Sequence, residues 1–524
     1  YGGASKRITF SRRHWKRPMG RVHVRVVDAA SGQLLAARIQ GLASDGKFYA
    51  PTDAYARISG TSRHCFFSSG EFILDVPPGE LKLTAVKGYE RLPAQRAVTV
   101  SAGATAEMTL PLTRIVDSPA RGWYSSSTHV HMNYGGNRHN TPEALAMMAS
   151  AEDLHVVNSL IANTDSRFFD WQYFGKGREY PLQPPRPDVK ITFGEEYRSQ
   201  FYGHVYMASL KDHIVLPYGT AYEGVALDAI YPTNADMLRA AKEQGGVTGY
   251  VHPFGETDPL ESGLGAKAFP VDAALGVVDT LDWAAALRGQ LRVWFRMLDN
   301  DFHIAPTGGE DSIVCLHNRK LIGSIRTYAY LGKNFSVDAW FDALRQGRTF
   351  FSTGPLLDFR VQDQIPGGEV HLAGSGGTVT VEGTAWFAAP VTKLTVYHRG
   401  GVLREVPVEG GTHQAHLRFD VPVRHSDWLV LVAEGPSSEF FDTDYLLAST
   451  NAIRVYVGSE KIRSRDSAEY FERWIDKLSE QTRRWPWWHS EEQRRYVFEQ
   501  YQTARRVYER LASEAMQTPP GEAN

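Results

Sequence analysis

His129 and His131 stand two apart in residues 123–134, W-Y-S-S-S-T-H-V-H-M-N-Y, a stretch that reads as a strand. Side chains two apart on a strand point the same way, so the two imidazoles share a face. Neutral imidazole is a common ligand for zinc and similar ions, and two on one face can hold one ion. An H-x-H is also what a pair of hydrogen-bonded surface histidines looks like, so the argument rests on what lies downstream. Asp165, Glu196, His252 and Asp311 each fall just past the C-terminal end of an expected strand, and His204 begins the strand after Glu196. That rim is where barrel-type α/β enzymes collect active-site groups. Each residue has a structural alternative: Asp165 and Asp311 as helix N-caps, His252 as a turn residue before proline, His204 as a satisfied core histidine. Their recurrence at strand ends favours a divalent metal site. Histidines with mixed carboxylates suit zinc or manganese, one or two ions. Hydrolysis is the natural chemistry, because such a site acidifies water and polarises a carbonyl or phosphoryl oxygen. No G-x-S-x-G elbow is present to anchor a serine-hydrolase mechanism.

The elements that must hold these residues alternate strand and helix, the signature of an α/β domain with largely parallel strands. Thr141-Pro142-Glu143 supplies an N-cap, a proline at the first helical position and an acid in the first turn. Apolar strands are expected at 156–161, 189–193, 247–251 and 302–305, with helices at 234–244 and 337–345. Before this unit, from about 21 to 113, short period-two runs such as Val22, Val24, Val26 are divided by turns such as Pro77-Pro78-Gly79. They predict an antiparallel β-sandwich. The pattern returns from about 357 to 457 and predicts a second sandwich. Beyond it the chain turns helical and charged, and Val497, Tyr501, Ala504, Tyr508 and Leu511 recur at three and four residues. That apolar face is expected to dock on the protein's own body, with Trp485, Trp487 and Trp488 as an aromatic knot before it.

The chain has 524 residues, enough for several cores, and 57 basic against 59 acidic side chains give a formal charge of −2. A general attraction to nucleic acid is therefore not expected. A basic cluster from Lys6 to Arg21 reads as a solvated arm over residues 1–20. Two cysteines, Cys65 and Cys315, provide no disulfide framework. No apolar run is long enough for a transmembrane segment. The chain begins at Tyr1 rather than Met, which suits a matured product and a periplasmic or secreted location, with the cytoplasm as the alternative. A small-molecule substrate is expected, and the oligomeric state is left open.

The motifs G-W-Y-S-S-S-T-H-V-H, A-E-D-L-H-V-V-N, G-E-E-Y-R-S-Q-F-Y-G-H, Y-V-H-P-F, A-L-G-V-V-D and G-R-T-F-F-S-T-G-P-L-L span residues 120–356. This stretch resembles the polymerase-and-histidinol-phosphatase (PHP) superfamily of metallohydrolases, in particular its carbaryl-hydrolase-like (CehA/McbA) branch. The segment 21–113 resembles a transthyretin-like or carboxypeptidase-regulatory-like sandwich. The resemblance implies a multidomain α/β plus β chain: a distorted (β/α)7 barrel over 120–356, flanked by sandwiches at 21–113 and 357–457, with a helical tail at 458–524. It implies His129, His131, Glu196, His204, His252 and Asp311 as metal ligands, and Asp165 and Glu196 as catalytic residues. Tyr197 and Arg198 follow as substrate-binding neighbours. The activity implied is hydrolysis of an ester, amide or carbamate bond through a metal-activated water. The alternatives are phosphoesterase activity, or a catalytically weak exported scaffold with a degenerate barrel. The sequence departs from the pattern at Ser127, where the family has aspartate, at Ser166 and Ile313, where histidine is common, at Glu310 for threonine, and at Arg198 for histidine.

Overall fold

The computed structural model describes residues 17–135, 139–161, 163–164, 167–285, 288–317 and 319–515, with the backbone alone at 163–164 and 167–168. The fold is mixed α/β, with many strands and few helices. In the N-terminal module the strand Gly20–Asp28 buries Val22, Val24 and Val26 and turns Arg21 and Arg25 outward. It lies between Glu71–Val76 and Thr105–Leu112 in a three-stranded sheet. A second, five-stranded sheet shares its core through Ile39, Phe66 and Leu83. The expected antiparallel arrangement needs one correction: Gly20–Asp28 runs parallel to Thr105–Leu112, with Arg21 opposite Thr105. The first and last strands of the module meet through a crossover of its whole length, which releases them from hairpin polarity.

In the central unit Trp123–His131 pairs parallel with Val156–Ile161, which pairs parallel with Lys190–Ser199. Gly203–Ala208 then returns antiparallel, between Lys190–Ser199 and Val247–Tyr250. Parallel pairing resumes through Thr280–Trp283 to Ala305–Gly308. Ser312–Ile313 and Arg326–Tyr330 bring the chain back to Trp123–His131. The reversed strand distinguishes this unit from an all-parallel alternation. The expected strand 189–193 continues to Ser199, because pairing with 203–208 carries the polar run Glu195–Ser199 into the sheet. Helix starts follow their caps. Thr141 Oγ1 accepts from Ala144 N, and Thr233 with Asp236 forms a capping box.

The C-terminal strands are continuous with this sheet, since Phe350–Ser352 pairs with Ala448–Thr450. A three-stranded sheet of Leu356–Val361, Gly377–Trp386 and Gln414–Val423 lies beside them. Two helices, Arg465–Arg483 and Glu491–Ala515, end the described chain. Val497, Tyr501, Ala504, Tyr508 and Leu511 are all buried, in one core with Tyr202, Tyr250 and Phe269. Trp485 packs on Phe201 and donates to Asp228 O, and Trp488 donates to Trp485 O, whereas Trp487 is exposed. Cys65 and Cys315 are buried and free. Among the described residues no helix is long and apolar enough to cross a membrane.

Candidate metal centre

His129 and His131 point to one face of their strand, both fully buried, with Nε2 atoms 3.1 Å apart. His131 Nδ1 lies 3.3 Å from Leu160 O. A carbonyl only accepts, so that ring nitrogen donates to it and Nε2 is the nitrogen turned to the site. Asp311 reaches the pair from beyond Ala305–Gly308, anchored by its own N–H to His129 O, and places Oδ1 3.5 Å from His129 Nε2 and 3.4 Å from His131 Nε2. Glu196 comes from the middle of Lys190–Ser199. Its Oε2 is 3.1 Å from His131 Nε2, while its Oε1 is 3.0 Å from His204 Nδ1 and 3.4 Å from His252 Nε2. Register explains the second group: Arg198 lies opposite His204, and Val205 opposite Tyr250, two residues before His252.

Two clusters therefore meet at one carboxylate: His129, His131 and Asp311 on one side, His204 and His252 on the other, with Glu196 between. Donor atoms around a tetrahedral ion with bonds of about 2.0–2.1 Å lie roughly 3.3 Å apart. The separations of 3.1, 3.4 and 3.5 Å among His129, His131 and Asp311 fit that geometry. The donor set, imidazole with carboxylate, suits zinc and manganese alike.

Electrostatics tell the same story. Burial pushes the His129 imidazole down to about 3. For His131 burial acts the same way, but Asp311 and Glu196 outweigh it and raise it to about 10. Glu196 is buried too, yet contacts with His131, His204 and His252 hold it well below the carboxylate range. Its neighbour Glu195 faces the other side of the strand, where burial, offset only by the Val215 N–H, pushes it up to about 8. Adjacent glutamates driven in opposite directions mark which face is the site. His252, with φ of +36°, and Asp311, with φ of +58°, occupy backbone conformations that cost a non-glycine residue roughly 1–3 kcal/mol. Their side chains are also the most solvent-accessible of the group, at 33% and 37%, so access to the centre is from their side.

Of the residues expected at the site, His129, His131, Glu196, His204, His252 and Asp311 come together. Glu196 lies within its strand rather than past the end. Arg198 also faces the centre, with Nη1 3.8 Å from Glu196 Oε2, and contacts the Tyr134 hydroxyl. Tyr197 does not reach it. Strand alternation turns its ring into the core, where the hydroxyl lies 3.1 Å from Thr220 Oγ1. Asp165 and Ser166 lie outside the described residues. Ser127 donates to Glu310 Oε2 at 2.8 Å, so two departures from the family pattern meet: serine for aspartate and glutamate for threonine. Sequence reasoning missed Asp282, which lies in the unrecognised strand Thr280–Trp283 and accepts from Thr128 Oγ1 at 2.8 Å, next to His129. It also missed Asp170, which accepts from Asn133 N and Nδ2. The signal for the first was available in the run T-L-D-W, β-prone residues around one acid.

This chain carries a two-cluster candidate metal centre.

No family model matches the chain. Over 132 residues it is 31% identical to the reductase subunit of an aromatic O-demethylase from an Amycolatopsis species, a stretch that makes up 24% of this chain. The chain spans 36% of that relative's length. Among solved structures it is similar to a two-domain protein from Bacteroides vulgatus containing a predicted PHP-like metal-dependent phosphoesterase. Identity is 15%, the TM-score 0.35, and the match covers 63% of this chain and 95% of the other. It is also similar to a lesion-specific endonuclease from Pyrococcus furiosus, at 13% identity and a TM-score of 0.31, over 43% of this chain and 56% of that one. Likeness at these scores carries no argument about chemistry, which rests on the donor geometry.

Proposed function

We propose that this chain is a metal-dependent hydrolase that cleaves an ester, amide or carbamate bond through an activated water. In this reading 120–356 is a PHP-type catalytic unit of the carbaryl-hydrolase-like branch, with sandwiches at 21–113 and 357–457 and a tail at 458–524 as accessory parts. The observation that carries it is Glu196, which divides its two oxygens between two donor clusters at ligand spacing. His129, His131, Asp311 and Glu196 would hold one divalent ion, zinc or manganese, and Glu196, His204 and His252 a second. Such an ion lowers the pKa of a water from 15.7 towards ~7 and polarises the oxygen of the bond to be cleaved.

The chain's own residues do the rest. Leu160 O orients the His131 ring, and Asp282 with Thr128 steadies the strand beneath His129. Arg198, backed by the Tyr134 ring at 5.3 Å, offers a cation to a polar group of the substrate. Asp165 takes a catalytic role on the motif resemblance alone. Serine chemistry has no support at the strand: Ser125, Ser126 and Ser127 are fully buried and engaged with Asp153 O and His155, Thr327 O and Glu310. Phosphoester cleavage is the second reading, favoured by the Arg198 guanidinium beside Glu196, since arginine suits phosphoryl oxygens.

The test is elemental analysis of the purified full chain with ester, carbamate and phosphoester turnover before and after chelation. Near-stoichiometric zinc, manganese or iron and reversible loss of turnover are expected. Protein that takes up no metal on titration would sink the reading, and phosphoester turnover alone would select the second one.

A further inference from the structure

We propose that the C-terminal helices are a brace for His252, setting where its imidazole stands in the Glu196, His204, His252 cluster. The inference rests on the reading of that cluster as a cation site. From Val247–Tyr250 the chain reaches His252 at positive φ, passes Pro253 and Phe254, loops outward, and enters the helix Phe269–Ala274. Within the central unit the loop is tied by Ala266 N to Pro253 O at 2.9 Å and by Ala268 N to Tyr202 O at 3.2 Å.

The tail holds it at several further points. Trp474, fully buried, sets its ring 5.5 Å from that of Phe254, two residues from His252, and donates from Nε1 to Lys267 O at 2.9 Å. Tyr470 donates its hydroxyl to Asp258 Oδ1 at 2.8 Å, and Lys477 Nζ donates to Leu260 O. Residues 470, 474 and 477 are four and three apart, so one face of Arg465–Arg483 takes both ends of the loop. From the second helix the Tyr508 hydroxyl donates to Pro270 O at 2.8 Å. A non-glycine residue at positive φ persists only where its surroundings over-determine it, and these contacts supply that constraint. Asp311 is held differently. The segment after it is gripped by the N-terminal module, through Arg57 Nη2 to Ile313 O at 3.3 Å and Ile58 N to His317 O at 2.7 Å. The two clusters therefore depend on different accessory parts, and the His129, His131, Asp311 cluster is an internal control.

The experiment compares the full chain with Trp474→Ala, Trp474→Phe and the milder Tyr470→Phe. Hydrogen exchange over 250–270 is read on metal-free protein. Cobalt titration is followed by calorimetry and the visible spectrum. In Trp474→Ala the loop amides are expected to exchange faster, and one cobalt affinity to fall by about tenfold or more while the other holds. Trp474→Phe, which keeps a ring against Phe254, should recover most of that loss, and Tyr470→Phe should loosen the loop near Asp258. Folded Trp474→Ala with unchanged loop exchange and both affinities intact would overturn the brace. So would parallel loss of both affinities, which is what general destabilisation produces. A wild type that binds no cobalt refutes the cation reading instead, and the exchange arm still decides whether the tail sets the loop.

Discussion

At the residue scale the centre turns on Glu196, because one carboxylate serves both clusters. Glu196→Gln removes the negative charge and leaves the fold intact, so both cation affinities and turnover should fall together, by at least about tenfold, in metal titrations paired with kinetics. Gly309 is the second residue of consequence. A Cβ there would sit 2.5 Å from Thr128 Oγ1, 2.6 Å from His129 Cβ and 2.7 Å from Asp282 Oδ2. Gly309→Ala should therefore displace the His129 strand, costing about 1–3 kcal/mol in denaturant melts and weakening cation uptake. His129 and His131 were legible in the sequence because period two is a local property. Tyr197, between Glu196 and Arg198, turns into the core instead, because neighbours on a strand face opposite ways.

At the element scale the tail is an amphipathic helix pair laid on the central unit. Burying each of Val497, Tyr501 and Leu511 contributes roughly 1.5–3 kcal/mol, so a charge on that face cannot be accommodated. Tyr501→Asp or Leu511→Asp should expose 465–515 to limited proteolysis while the rest of the chain stays resistant. An unchanged fragment pattern would count against docking. Beneath the tail lies Asp272, buried in the helix Phe269–Ala274, where burial raises its carboxyl well above the ordinary range despite a 2.6 Å bond from the Tyr250 hydroxyl. Asp236 raises it further, and Arg239 opposes. The unfolded carboxyl ionises near ~3.9, so at higher pH the folded chain keeps a proton that the unfolded chain has lost. Stability from this group is full below that value and falls as pH rises towards the folded pKa. Melting curves of Asp272→Asn against wild type should shift in the variant's favour as pH rises above about 4.

At the scale of the whole molecule, cation binding should be linked to stability. An ion at 100 times its dissociation constant adds about 2.7 kcal/mol, so chelation should lower the melting temperature reversibly, and readdition of zinc or manganese should restore it. A melt indifferent to chelator would mean that the folded chain holds no ion. The sequence by itself determined the local rules: the paired imidazoles of His129 and His131, the capped helix start at Thr141, and the docking face of Glu491–Ala515. Each depends on residues within a turn or two of one another. Tertiary structure decided what needs partners distant in the chain. Pairing with Gly203–Ala208 drew Glu196 into the sheet and set His204 beside it. Histidines from three distant strands separated Glu196 from Glu195, which is equally buried and adjacent in sequence: one carboxyl is held down and the other pushed up. The distance from Ser127 to Glu310 closed two departures into one hydrogen bond. Register, burial and long-range contact are properties of the assembled sheet, which no window along the chain contains.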